Sequence, residues 1–127
     1  MRTAIILPLN FGVGRRAGKI CLYLHSASEG EKVAVMANDS RASFEMDCEH
    51  KLQYFRDKGY CTMSYESVIG RGRIEILTEE KREALEILMA HYHPGENAPF
   101  NPAAIPRTLV YVLLVEEMTG KRKLPKA

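Results

Sequence analysis

The stretch HSASEGEKVAVM, residues 25–36, closes one apolar run and opens another. Just before it, KICLYLH (19–25) alternates Ile20, Leu22 and Leu24 with Cys21 and Tyr23, the period-two pattern of a strand with both faces partly covered. Beyond the polar hinge, Val33, Val35 and Met36 supply the apolar side of a helix running from Glu29 to Ala37, which Asn38, Asp39 and Ser40 end. The stretch therefore reads as a strand-to-helix turn, and two uses of it stand side by side. As a plain turn, Ser28 and Glu31 have the S-x-x-E spacing of a capping box and need no ligand. As a phosphate cradle, the helix start offers free backbone N–H groups and roughly half a positive charge. Ser26 and Ser28 would add hydroxyls, Gly30 would let a ligand approach the backbone, and Lys32 would bring a full charge. Glu31 counts against that second use, because it repels an anion.

On the N-terminal side, TAIILPLNF (3–11) reads as a strand with Pro8 at an edge or bulge, and GVGRRAG (12–18) as a glycine-rich hairpin loop. On the C-terminal side, RASFEMD (41–47) alternates as a strand, and HKLQYFR (50–56) is its extension or an excursion. TMSYESVIGRGRIEIL (62–77) is a long β segment whose Gly70 and Gly72 mark a bulge or a close backbone approach. Thr78 is placed to cap a helix with Glu79 and Glu80 in its first turn, ending near His91. Ala84, Leu85, Leu88, Met89 and Tyr92 form its apolar stripe. A Pro-rich loop with room for a short helix follows (93–106), then a strand from Thr108 to Val115. The order β-β-α-β-β-α-β, with strands following one another twice, predicts a mainly β protein: an antiparallel sheet or barrel with peripheral helices.

A chain of 127 residues, 46% hydrophobic and 27% charged, fits one globular domain. A net charge of +2 is too weak to argue for nucleic acid. Lys121, Arg122, Lys123 and Lys126 make residues 121–127 a basic, solvated tail behind a domain at 1–120. Three cysteines without paired spacing, no secretory cleavage pattern and no membrane-length apolar run predict a cytoplasmic protein with reduced thiols. Cys48, His50 and Cys61 fall short of metal-site spacing, so no metal is expected. His91 and His93 suit a helix C-terminal cap.

Taken in order, PLNFGV (8–13), LHSASEGEK (24–32), FEMDCEH (44–50), TMSYESVIGRGRIEIL (62–77), EKREALEILMAHYHPGE (80–96) and EEMTGKR (116–122) carry a family likeness over nearly the whole chain. The chain resembles the flavin-binding split-barrel proteins. More narrowly, it is similar to the pyridoxamine 5′-phosphate oxidase-related branch that includes the 5-nitroimidazole-resistance proteins. The resemblance implies a six-stranded antiparallel, Greek-key split barrel working as a homodimer, with FMN held between subunits. It also implies an N-terminal helix and first strand ahead of PLNF, which a chain starting at Met1-Arg2-Thr3 lacks.

By the same resemblance, His25 and Ser26 lie beside the flavin, Gly30 and Lys32 meet its phosphate, and Leu9, Asn10 and Phe11 run along its ring edge, with backbone N–H groups within reach of it. Tyr65, Ser67 and Val68 would sit near the partner's flavin. Glu31 departs from the basic residue that the oxidases often carry there. The implied activity is reduction or oxidation of a small aromatic or nitroaromatic substrate, with a nicotinamide as one possible electron donor; His25 is the candidate catalytic residue, and a contact to the cofactor or a purely structural role stand as its alternatives. A binding protein without turnover, and a relative without cofactor, are the alternatives.

Overall fold

A computed structural model describes residues 9–27, 30–92 and 103–126, at residues 31 and 32 the backbone alone. Its elements run β1 (Gly12–Arg16), β2 (Lys19–Ala27), α1 (Glu31–Asn38), β3 (Arg41–Phe55), β4 (Tyr60–Ile76), α2 (Lys81–Tyr92), a 3-10 turn (Ile105–Arg107) and β5 (Thr108–Lys123). The order of elements is the one read from the sequence. The strands form an antiparallel five-stranded sheet in the order β1-β2-β5-β4-β3, so the last strand enters between β2 and β4. Among the described residues no helix is long and apolar enough to cross a membrane.

Several boundaries move. The glycine-rich 12–18 segment is a hairpin, but its first five residues are strand and only Ala17 and Gly18 turn. Both turn residues have positive φ (50° and 78°), as the tight two-residue hairpin requires. Residues 9–11, expected as strand, are not; residues 3–8 of that expected strand lie outside the described residues. The N-cap of α1 is Gly30, without a side-chain cap, so the helix starts later than a Ser28 cap allows. Thr78 does not cap α2 either. The helix begins at Lys81, and the Glu80 carbonyl accepts its first bond, from the Ala84 N–H at 3.1 Å. RASFEMD and HKLQYFR fuse into one strand, and β5 continues past Val115 to Lys123.

The chain divides into two units. The first comprises Met1–Ala42 and Gly72–Glu116, the second Ser43–Arg71 and Glu117–Ala127. The first unit holds the apolar core: Cys21, Tyr23, Leu77, Ala84, Leu85, Val110 and Val112, with Ile105 and Leu114 packed against them. Ala84, Leu85 and Leu88 are the buried face of α2, which lies on β1 and β2. Burying one such leucine contributes about 1.5–3 kcal/mol. Gly12 is where helix and strand meet most closely. A Cβ there would sit 2.7 Å from the Leu88 Cα, backbone that cannot swing away.

Arg16 ties the same corner together. Its guanidinium donates to the Glu80 carboxylate at 3.1 Å, and the nearby Tyr23 phenol and that carboxylate hold its already high pKa up. Burial pushes the Tyr23 phenol upward, against the pull of Arg16.

The second unit is made of long strand segments with little inside. Its one buried polar residue, Ser64, hydrogen-bonds the Lys51 carbonyl at 3.4 Å. Phe44 lies over Gly70, where a side chain would collide with the ring, so the close approach expected at that glycine is present. Gly72, in the first unit, is pressed against the Leu114 carbonyl in the same way. Cross-strand pairs line the second unit's surface: Arg71 with Glu117 at 2.7 Å, Arg122 with Glu66 at 2.9 Å, and Lys123 with Thr62 at 2.6 Å.

Candidate functional site

The end of β2 carries the first site residues. Its ladder with β5 pairs His25 with Val110, Ser26 with Leu109 and Ala27 with Thr108. Its ladder with β1 stops at Tyr23 opposite Gly12, so from Leu24 onward β2 has no β1 partner. His25 stands on this half-free stretch, partly buried. Its Nδ1 is buried and, among the described residues, has no hydrogen-bond partner. Buried polar atoms are paired in nearly all folded proteins, and leaving one unpaired costs about 1–3 kcal/mol. A structural histidine would ordinarily spend that nitrogen on a backbone carbonyl.

Next along the strand, the Ser26 hydroxyl donates to the Ala27 carbonyl at 2.9 Å. Burial pushes the pKa of the Tyr111 phenol up, and nearby Ser26 pulls it back. The turn then reaches Gly30 at φ 132° and ψ 173°, a backbone state that L side chains rarely adopt. Among the described residues a Cβ at Gly30 would meet nothing within 4 Å. The Gly30 carbonyl accepts from the Val33 and Ala34 N–H groups and starts α1. Gly30 has no side chain to cap that helix, and the Val33 N–H is already taken by the Gly30 carbonyl; a helix start of this kind favours an anion. Lys32 belongs to this first turn; its side chain, like all of Ser28, lies outside the described residues.

Leu9 and Asn10 are exposed and Phe11 is half-buried, in the segment leading into β1. The β1–β2 register, carried on two residues, would face Asn10 with His25, but the ladder has ended by then. The Phe11 N–H donates to the Tyr92 hydroxyl at 3.0 Å, so that group is not free for a ligand as the resemblance implied. The Phe11 ring lies 4.8 Å from the His91 ring. Neither His91 nor Tyr92 was singled out for this from the sequence. Tyr92 was placed on the helix's core stripe, yet it is 42% exposed and serves as an acceptor.

Tyr65, Ser67 and Val68 are half-buried on β4 in the second unit, with the Lys121 ammonium 5.9 Å from the Tyr65 ring. The first unit thus gathers His25, Ser26 and Gly30 along one strand and the turn that follows it, with residues 9–11 leading into the neighbouring strand. Elsewhere, Cys48 and Cys61 are exposed, His50 pairs with Asp47 at 3.2 Å, and no group of three or more His, Cys, Asp or Glu among the described residues could hold a metal ion.

The family model for pyridoxamine 5′-phosphate oxidase matches residues 2–122. Among solved structures, a candidate 5-nitroimidazole antibiotic resistance protein from Bacteroides thetaiotaomicron is 33% identical. It superposes with a TM-score of 0.75 over 90% of this chain and 66% of its own. A flavocytochrome from Azotobacter vinelandii (23% identity, TM-score 0.72, 95% of this chain) shares the fold. So does an FAD and heme binding protein from Mycobacterium smegmatis (20%, 0.73, 92%). This chain spans 56% and 58% of the lengths of those two. No curated protein matches. With the family model spanning nearly the whole chain and a 33% identical structure superposing over 90% of it, the chain belongs to the pyridoxamine 5′-phosphate oxidase family and carries its split-barrel fold.

Proposed function

We propose that this chain binds FMN at the corner between β2 and α1 and acts as an oxidoreductase on small aromatic or nitroaromatic compounds, as a homodimer drawing electrons from a nicotinamide. The observation that carries the reading is the buried Nδ1 of His25, unpaired among the described residues, on the strand that leads to Gly30 and the start of α1. A ligand acceptor or donor meeting that nitrogen removes a standing desolvation cost. The uncapped start of α1 favours the anionic end of such a ligand, and Lys32 would add a full charge. When bound, FMN would supply the electron transfer, which no side chain here can. His25 would hold or deliver a proton at Nδ1, and Ser26, bonded to the Ala27 carbonyl, would keep the strand end in place.

Support for a nitroaromatic substrate comes from the 33% identical Bacteroides protein, described as a 5-nitroimidazole resistance protein. Support for a second copy comes from the large apolar side chains exposed in the second unit: Leu52, Tyr54, Met63, Ile69 and Met118.

The test is direct. Protein purified without added cofactor should show flavin absorbance, or gain it on titration, with FMN bound more tightly than FAD. Lys32→Ala should weaken FMN about tenfold, the scale of one lost charge-assisted contact. His25→Ala should lower nitroaromatic turnover far more than FMN affinity. A protein that takes up neither flavin sinks the proposal. One that binds FMN but never passes electrons to an acceptor is a binding protein only.

A further inference from the structure

We infer that Tyr92, with His91 beside it, is a positioning residue for the flavin-edge segment 9–11, an inference that rests on the flavin reading above. The pieces come from opposite ends of the first unit. The Phe11 N–H donates to the Tyr92 hydroxyl at 3.0 Å, across 81 positions of sequence. The Phe11 ring lies 4.8 Å from the His91 ring at 40°, and His91 meets the Tyr92 ring edge-on at 4.8 Å. One residue on, Gly12 lies against the α2 backbone, where a Cβ would sit 2.7 Å from the Leu88 Cα. The segment is therefore held to the last turns of α2 by a hydrogen bond, a ring contact and a backbone approach.

Among the described residues no strand partner holds it instead, because the β1–β2 ladder ends at Gly12 opposite Tyr23. The consequence is specific. Tyr92 takes up the Phe11 N–H, so the donors left for a ring edge are those of Leu9 and Asn10, and their aim is set by where Tyr92 and His91 fix Phe11. Tyr92 touches no reacting atom in this account; it acts through the segment.

Tyr92→Phe deletes the hydroxyl and keeps the ring. In the protein without flavin, exchange of the Phe11 amide should speed up by up to about tenfold, the range of one net hydrogen bond. Exchange at Leu22, inside the core strand β2, should stay as in the wild type and report an intact fold. With FMN added, Tyr92→Phe should bind it about three- to tenfold more weakly and shift the bound flavin's visible band. An unchanged Phe11 exchange rate overturns the clamp, whatever flavin does. Faster exchange with unchanged affinity and band overturns the positioning role. If the wild type takes up no flavin while Tyr92→Phe still frees the Phe11 amide, the flavin reading has failed and the positioning role falls with it, the contact itself remaining.

Discussion

In the first unit Tyr111, Val110, Val112 and Cys21 are at most 1% exposed, beneath a helix that buries three of its own apolar residues. In the second unit no apolar side chain reaches that state among the described residues, while Tyr54 is 68% and Ile69 59% exposed. Strands β4 and β5 contribute residues to both. The difference lies in what covers them. A strand's hydrogen bonds add little net stability by themselves, and independent stability needs an apolar face packed against something. The first unit supplies that cover from its own α2. The second offers ion pairs on solvent-facing sites, each worth at most about 1 kcal/mol. Its apolar residues are where the proposed second copy would contribute.

The comparison breaks most sharply at Leu85. Leu85→Ala should cost about 2–5 kcal/mol in denaturant unfolding, whereas Ile69→Ala should change the monomer by no more than about 0.5 kcal/mol. Equal losses would mean that stability is not concentrated where the core is. Gly12→Ala comes next. Forcing a methyl against the α2 backbone should cost about 1–3 kcal/mol, read as a lowered unfolding midpoint.

Smaller again is an alkaline effect. Tyr23 and Tyr111 hold their protons more tightly folded than unfolded, because burial disfavours the phenolate. Their contribution is complete below the ordinary tyrosine value of 10 and is lost as pH rises through the higher folded values. The melting temperature should therefore start to fall above about pH 10, with part of the tyrosine absorbance change delayed until unfolding. Phenols that all titrate together at their ordinary value would contradict the burial. Smallest is Arg71→Ala, which removes the Glu117 pair in the second unit. It should cost under about 1 kcal/mol and less at high salt.

Much of the fold was legible because its signals are local. Alternation marked β2, β3 and β4, and the 3–4 spacing of Ala84, Leu85 and Leu88 marked the buried face of α2. What misled was equally local. Glycines at 12 and 14 looked like a loop. They are strand residues whose missing side chains leave room for the α2 backbone, far away in sequence, and for the Tyr23 ring on the next strand. Ser28 and Thr78 looked like helix caps by spacing alone, and the helices begin after Gly30 and Glu80. The turn at 25–36 was readable as a candidate site from residue types. The roles of Tyr92 and His91 were not, since a tyrosine on an amphipathic stripe carries no mark of the amide it will accept from.

Residue order by itself determined that β2, β3, β4 and β5 are strand and that α1 and α2 are helix, and the family motifs that tie the chain to split-barrel flavin proteins. These depend on periodicity and composition within a few residues. Tertiary structure alone decided that β5 enters between β2 and β4, that the His25 Nδ1 is buried without a partner among the described residues, and that Tyr92 engages Phe11. Each of those is a meeting, or a missed meeting, between atoms far apart along the chain. Burial and hydrogen-bond satisfaction depend on every group that arrives at a place, and no single stretch of sequence records them.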